Sequence, residues 1–103
     1  MKRSFAITMH APLGQRHGAL TFEENDGKIS GALLLLGNSD HVTGTITKDG
    51  RIEFTGNLIS KLRTFSYVAK GKIENGHITL DVTGARYSFC ITGDEIKSLE
   101  EKQ

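Results

Sequence analysis

Apolar and polar residues alternate along most of this chain, with the period of two that is typical of a β-strand with one buried face. In one such stretch, every second residue from Phe65 to Ile73 is apolar or glycine, and the residues between them include Ser66 and Lys70. Similar stretches follow one another from Phe5 onwards. The pattern predicts an all-β domain, an antiparallel meander of about seven to eight strands.

The apolar phase of each stretch predicts which side chains share the interior. In chain order, these are Phe5, Ile7 and Met9; Leu20 and Phe22; Ile29, Gly31, Leu33 and Leu35; Val42, Gly44 and Ile46; Ile52, Phe54, Gly56 and Leu58; Phe65, Tyr67, Ala69, Gly71 and Ile73; and Ile78, Leu80 and Val82. After Val82 the apolar residues change phase, to Tyr87, Phe89 and Ile91. We interpret this change as a β-bulge or a tight turn at Gly84.

Turn sequences that end in glycine separate several of these stretches. Asn75-Gly76 predicts a two-residue hairpin turn, because Asn followed by Gly adopts the required positive φ angles at least cost. Asp26-Gly27 and Asp49-Gly50 are expected to close slightly longer loops, with Gly in the left-handed position of a bulge. Repeated turns of this kind predict antiparallel pairing of neighbouring strands.

Glycine is abundant in the chain, with Gly 12 against Pro 1, and several glycines lie within the predicted strands. They are Gly31, Gly44, Gly56, Gly71 and Gly84. Glycine weakens a strand unless the missing side chain is needed, and a strongly curved sheet has that need. We therefore expect a barrel or half-barrel in preference to a flat sandwich.

The segment Ala32–Leu36 departs from alternation, since Leu34 and Leu36 point outward when Leu33 and Leu35 point inward. We expect residues 1–92 to form the barrel-like domain and residues 93–103 to be a short helical or disordered tail. Such a helix, capped by Asp94 and presenting Ile96 and Leu99, would cover the two outward leucines. The alternative is that these leucines form a homodimer contact.

Composition narrows the function classes. The net charge of +1 over 103 residues disfavours a dedicated nucleic-acid binder, which is usually strongly basic. The basic residues Lys61, Arg63, Lys70 and Lys72 lie beside aromatic residues of the predicted core, so an OB-like nucleic-acid surface is the less favoured interpretation. We find no signal peptide and no apolar run long enough to span a bilayer, and therefore expect a cytoplasmic protein without a membrane partner.

Catalytic and metal-binding motifs are weak. His10 and His17 flank one predicted hairpin and would share a metal only with a third ligand. Cys90 is the sole cysteine, and no histidine lies at a spacing that would mark it as a nucleophile. We expect no metal and no cofactor, and we disfavour an enzyme.

The succession of Gly-led strands and Asp-Gly hairpins, over roughly residues 3 to 92, resembles the calycin group of lipocalins, fatty-acid-binding proteins and avidins. It is most similar to short lipocalin-like bacterial proteins, although the Gly-x-Trp element of lipocalins is absent because the chain has no Trp. The resemblance implies a small, apolar ligand inside the barrel. The interior positions that we expect to line such a site are Phe22, Leu33, Phe54, Tyr67, Tyr87 and Phe89. The alternative function is an interaction domain that homodimerises through its sheet.

Overall fold

A computed structural model describes residues 2–11, 14–35, 37–59, 64–84 and 88–96 of the chain. These residues form eight antiparallel strands: β1 (Lys2–Ala11), β2 (Gly14–Asn25), β3 (Lys28–Leu35), β4 (Asn38–Ile46), β5 (Arg51–Ile59), β6 (Thr64–Glu74), β7 (His77–Gly84) and β8 (Ser88–Glu95). Each strand pairs with the next, and β8 pairs with β1, so the sheet closes on itself. The predicted all-β meander is confirmed, and it is a complete barrel.

Tight turns occupy one end of the barrel, which we call the turn end. Asp26 and Gly27 have φ angles of 51° and 80°, and Asn75 and Gly76 have 53° and 77°, as two-residue hairpin turns with two left-handed residues require. The prediction is confirmed for Asn75-Gly76, whereas Asp26-Gly27 forms the same tight turn in place of the expected longer loop. Gly50 closes a four-residue loop with φ 93°, as expected.

The opposite end, which we call the loop end, carries the connections β1–β2, β3–β4, β5–β6 and β7–β8. Since β7 ends at Gly84 and β8 begins at Ser88, the phase change after Val82 marks a chain reversal and not a bulge within one strand. The hairpin pairs Val82 with Phe89 and Leu80 with Ile91, which keeps all four side chains on the interior face. Residues 85–87, including Tyr87, lie outside the described residues.

The predicted interior faces are confirmed strand by strand. The buried apolar side chains are Phe5, Ile7, Met9, Leu20, Phe22, Ile29, Leu33, Leu35, Val42, Ile46, Ile52, Phe54, Tyr67, Ala69, Ile73, Ile78, Leu80, Val82 and Ile91, with Phe89 packed against them. Each of these was assigned to the interior from the alternation alone. The side chains of Leu58 and Phe65 lie outside the described part of the structure.

The eighth strand continues beyond the expected domain limit at Thr92. Asp94 lies within β8, where it is paired with His77 on one side and Ala6 on the other, so its predicted role as a helix cap is wrong. The amide of Ile96 donates to the carbonyl of Ser4 at 2.8 Å. The edge of β1 that faces β8 offers backbone hydrogen-bond partners to this segment, whereas a short solvent-exposed helix is marginal in water.

Leu34 is 47% exposed on the outer face of β3, as predicted from the loss of alternation. Leu36 and Leu99 lie outside the described residues, so the helix that would cover these leucines, and the homodimer contact, both stay predictions. Among the described residues, no helix is long and apolar enough to cross a membrane.

An ion pair joins the first and last strands at the turn end. Arg3 donates from Nε to Glu95 Oε2 and from Nη2 to Glu95 Oε1, both at 2.9 Å, and its guanidinium lies 5.4 Å from the centre of the Phe5 ring. Hydrogen bonding to Glu95 raises the pKa of Arg3 above its ordinary value, and the charge of Glu24 adds to this effect. The two-point contact therefore stabilises the β1–β8 seam that closes the barrel.

Two glycines of the interior face are paired with phenylalanines on the neighbouring strands, Gly31 with Phe22 and Gly44 with Phe54. A methyl group on Gly44 would lie 2.5 Å from the Phe54 Cα atom, and one on Gly31 would lie 2.5 Å from the Phe22 Cα atom. The missing side chains thus let the backbones of adjacent strands approach closely, as a strongly curved sheet requires. The barrel that the strand glycines predicted is confirmed.

Candidate functional site

The expected lining residues occupy different levels of the barrel. Phe22 lies in the turn half and stacks on Phe5, with ring centres 6.0 Å apart. Leu33, Phe54 and Tyr67 are all buried, and the rings of Phe54 and Tyr67 meet edge to face at 6.4 Å. Phe89 is half-buried near the start of β8, at the loop end, and packs against the core. Leu33, Tyr67 and Phe89 thus lie toward the loop end.

Tyr67 carries a hydroxyl group into this interior. Its partner on β5 is Gly56, and a methyl group there would lie 2.7 Å from the Tyr67 hydroxyl oxygen and 3.0 Å from Val42 Cγ1. The Tyr67 hydroxyl from β6 and the Val42 methyl group from β4 therefore lie close to each other over the interior face of β5. Gly56 provides the space that lets the phenol reach across its strand.

Asp40 places a carboxylate in the same half of the barrel. It shares the inward phase of β4 with Val42, is paired with Leu33 on β3, and is only 4% exposed. Of the buried side chains that the structure describes, it is the one that carries a formal charge. Burial of a carboxylate is costly unless the group is paired and hydrogen-bonded, and such groups are retained where they bind something or specify structure.

Sequence reasoning missed Asp40 because the β4 interior face was taken to begin at Val42. The signal was present, since Asp40 lies two residues before Val42 and therefore shares its phase. A polar residue at an interior position of a strand was the feature that could have identified it.

The histidines lie on the outer face, apart from this interior. His10 Nε2 is 2.9 Å from Thr92 Oγ1, and His17 Nδ1 is 3.2 Å from Thr8 Oγ1. The β1–β2 hairpin brings the two histidines to neighbouring positions, with Gln15 opposite His10. Among the described residues, no three potential ligands lie close enough together to hold a metal ion.

Cys90 also faces outward, and its Sγ–H donates to Asp81 Oδ1 at 3.4 Å. This hydrogen bond is the main reason that the pKa of the Cys90 thiol is raised, and the negative charge of Asp81 acts in the same direction. A nucleophilic cysteine needs the opposite shift, toward thiolate. The surroundings of Cys90 therefore disfavour covalent catalysis.

Replacing Asp81 with asparagine should lower the pKa of Cys90 and speed its alkylation by iodoacetamide at pH 8 by about threefold or more, because the negative charge that opposes thiolate formation is removed. The amide oxygen of asparagine still accepts the thiol hydrogen bond, so the change isolates the charge. The rate is measured by mass spectrometry from pH 7 to 10. Asp94→Asn, on the same outer face, should leave the pH profile unchanged, and an unchanged profile in Asp81→Asn would contradict the assigned effect.

A cleft of about 460 Å³ crosses the outer face of β5, β6 and β7, next to the loop end. Its side chains include Thr55, Asn57, Ser66 and Thr83, and Ser66 Oγ donates to Asn57 Oδ1 at 2.9 Å. The described lining of this cleft contains no charged group. It offers weaker grounds for a specific ligand than the interior does.

No protein-family model matches the sequence, and no curated protein matches it either. Among solved structures, the chain is similar to a redesigned β-barrel, mFAP1, whose structure was determined bound to DFHBI. The two share 13% sequence identity and superpose with a TM-score of 0.65 over 91% of this chain and 92% of that chain. The likeness is one of fold. It agrees with the closed eight-stranded barrel, which is also the architecture expected from the calycin resemblance.

Proposed function

We propose that this chain is a non-catalytic binding protein that holds one small, largely apolar molecule in the loop half of its barrel. The observation that carries the proposal is the placement of a carboxylate and a phenol, from Asp40 and Tyr67, among buried side chains that, in the described part of the chain, are otherwise hydrocarbon. A few convergent polar groups in an apolar enclosure are the usual composition of a small-molecule site.

The size of the barrel supports this proposal. An eight-stranded barrel has an interior that is either filled by its own side chains or holds a single small ligand. The structural likeness to a barrel bound to DFHBI favours the second use. In this proposal Leu33, Val42, Phe54 and Tyr67 contact the ligand, Phe22 lies beneath it, and Phe89 borders the loop end. The expected role of Tyr87 stays a prediction.

Binding is favoured over catalysis by the chemistry of the interior. Within the described residues, no histidine or cysteine faces the barrel interior, and Cys90 and the hydrogen-bonded histidines lie on the outside. The buried polar groups are therefore suited to orient a ligand through hydrogen bonds, which requires neither a nucleophile nor a base.

The proposal is tested with Nile red, an uncharged apolar fluorophore. We expect one equivalent to bind, with increased and blue-shifted emission. Val42→Phe should weaken binding by about tenfold or more, because the larger side chain would occupy the region in which we propose that the ligand lies. Thr43→Phe is the matched control, since Thr43 is the next residue on the same strand and points outward. Native mass spectrometry of the same samples reports the stoichiometry and the oligomeric state together.

Circular dichroism establishes whether each variant is folded. If Val42→Phe does not fold, Ala69→Leu provides a second substitution in the barrel interior. Absence of saturable Nile red binding to the wild type would overturn the proposal. So would equal losses in the inward-facing and outward-facing variants, because the fluorophore would then be bound on the surface.

A further inference from the structure

We propose that two copies of this chain associate through the outer face of strands β1 to β4, in a weak, symmetric homodimer. The proposal concerns the outside of the barrel, so it does not depend on whether the interior holds a ligand. Its basis is the distribution of charged residues and of exposed apolar side chains over the outer surface.

Charged residues are unevenly distributed around the outside of the barrel. The outward positions of β5, β6 and β7 include Arg51, Glu53, Lys70, Lys72, Glu74 and Asp81. On β1 to β4, between the charged residues of the turn end and the loop end, the described outward positions hold no Asp, Glu, Lys or Arg. We call this surface the neutral face, and its residues are Ser4, Ala6, Thr8, Ala19, Thr21, Ser30, Ala32, Leu34, Ser39, His41 and Thr43.

Strand pairing makes the neutral face continuous. Two neighbouring rows of cross-strand partners run over β1, β2 and β3, and they are Ala6–Ala19–Leu34 and Ser4–Thr21–Ala32. Thr21 Oγ1 donates to Ser4 Oγ at 3.2 Å. This hydrogen bond within the face lowers the cost of removing the two hydroxyl groups from water when the face is covered.

The exposed large apolar side chains of the described residues are Leu34, at 47%, and Ile96, at 51%, and both border the neutral face. Leu34 ends one of its rows on β3. Ile96 follows β8 on the opposite side, where its amide donates to the carbonyl of Ser4 on β1 at 2.8 Å. Exposed apolar side chains that flank an uncharged surface are typical of the central part of a protein–protein contact, from which charged residues are depleted.

The composition of the neutral face suits a second copy of the same chain. A twofold contact brings the same surface of both copies together, so a charged residue near the axis meets its own kind. The neutral face avoids this repulsion, whereas the outer face of β5 and β6 already pairs Arg51 with Lys72. Small side chains lie between Leu34 and Ile96, so the protruding Leu34 of each copy has a shallow surface on the other to pack against.

The size of the neutral face predicts a weak dimer. Neighbouring strands lie about 4.8 Å apart and successive outward residues about 6.7 Å apart, so four strands with three such residues each cover about 400 Å². Two copies would bury about 800 Å², and side chains at the margin raise this toward about 1,200 Å², the lower limit of standard interfaces. We therefore expect a reversible dimer with a dissociation constant on the order of 100 μM.

Sedimentation equilibrium from about 10 μM to about 1 mM protein tests the proposal across the expected dissociation constant. The average mass of the wild type should rise with concentration toward that of two chains. Leu34→Arg should weaken association by about tenfold or more, because each dimer would bury two unpaired charges. Val68→Arg is the matched control, since Val68 is a half-buried apolar residue on the outer face of β6, and the same change there should preserve the dimer.

Disulfide formation provides a second measurement that leaves Leu34 in place. In a Cys90→Ser background, which removes the native thiol, Ala19→Cys should form a covalent dimer on oxidation with copper phenanthroline, because Ala19 lies in the middle of the neutral face. Thr55→Cys, exposed on the outer face of β5, should stay largely monomeric under the same conditions. Circular dichroism of each variant establishes whether it is folded, and the wild-type mass needs no variant.

A wild-type protein that stays monomeric throughout this concentration range overturns the proposal. In that case, a lower thermal unfolding midpoint in Leu34→Arg would show that the chain covers the face with its own residues 97–103, and an unchanged midpoint would leave the face to a different partner. Equal losses of association in Leu34→Arg and Val68→Arg would also overturn it, because association would then not depend on the neutral face. Nile red binding is measured separately, so the dimer and the proposed function can fail independently.

Discussion

Replacing Phe54 with alanine is expected to lower the free energy of unfolding by about 3–5 kcal/mol, the range for loss of a buried phenylalanine side chain. Phe54 is 1% exposed, is paired with Gly44 on β4, and its ring lies 6.4 Å from that of Tyr67 on β6 in an edge-to-face arrangement. Its removal leaves a cavity in the core and removes the contact with the Tyr67 ring. A domain of this size has about 5–15 kcal/mol of total stability, so this single change removes a large part of it.

Urea denaturation followed by circular dichroism measures the loss. Thr55→Ala is the matched control, because Thr55 is the neighbouring residue on β5 and is exposed on the outer face. Its effect should be within about 0.5 kcal/mol of zero. If Phe54→Ala cost no more than Thr55→Ala, the assignment of the even-numbered β5 residues to the interior would be contradicted.

Gly44→Ala is expected to destabilise the barrel by about 3 kcal/mol or more, at the upper end of the range for overpacked sites. The added methyl group would lie 2.5 Å from the Cα atom and 2.7 Å from the Cβ atom of Phe54, and would also collide with the carbonyl oxygen of Glu53. Two of these neighbours are backbone atoms of a paired strand, which cannot move without breaking the sheet. The thermal unfolding midpoint of the variant should fall accordingly.

A second glycine provides the comparison. Gly37 has a positive φ of 78° and no neighbouring atom within 4 Å of an added methyl group, so Gly37→Ala meets conformational strain but no collision. Its expected cost is about 1–2 kcal/mol. A loss in Gly44→Ala that is no greater than the loss in Gly37→Ala would show that close approach of the strands is not the reason for glycine at position 44.

The alternation of side chains was sufficient to predict the strands and their interior faces. A period of two survives in every strand because each has one side in the core and one in solvent, and that requirement acts on each residue locally. The Asn75-Gly76 turn was predictable for the same reason, since its φ angles depend on two residues alone. Closure of the barrel depends on curvature summed over eight strands, which the strand glycines indicated only in general terms.

The end of the chain shows where local reasoning was insufficient. The spacing around Asp94 is compatible with a short helix, yet Asp94 lies in β8, between β7 and β1. The pairing partner Ala6 is distant in sequence, so nothing near Asp94 reveals it. This segment forms a strand and not a helix because the closed barrel requires β8 to pair with both β7 and β1.

The candidate site was predictable in part. Leu33, Phe54 and Tyr67 were correctly placed in the interior by their phase, although their contact with a ligand stays a prediction. Asp40 was accessible to the same reasoning had β4 been extended by one inward position. The approach of Tyr67 to Val42 above Gly56 was not accessible, because it depends on the stagger between strands β4, β5 and β6.

The seam between β1 and β8, fastened by Arg3 and Glu95, has a consequence for biosynthesis. During synthesis, β1 must wait for β8 before its second edge is hydrogen-bonded, because Phe5 pairs with Glu95. Throughout translation the nascent chain therefore presents two open strand edges, each able to pair with another polypeptide. Until the barrel closes, these edges need protection, by a chaperone or by rapid synthesis. In the closed barrel β1 and β8 pair with each other, and the need is gone.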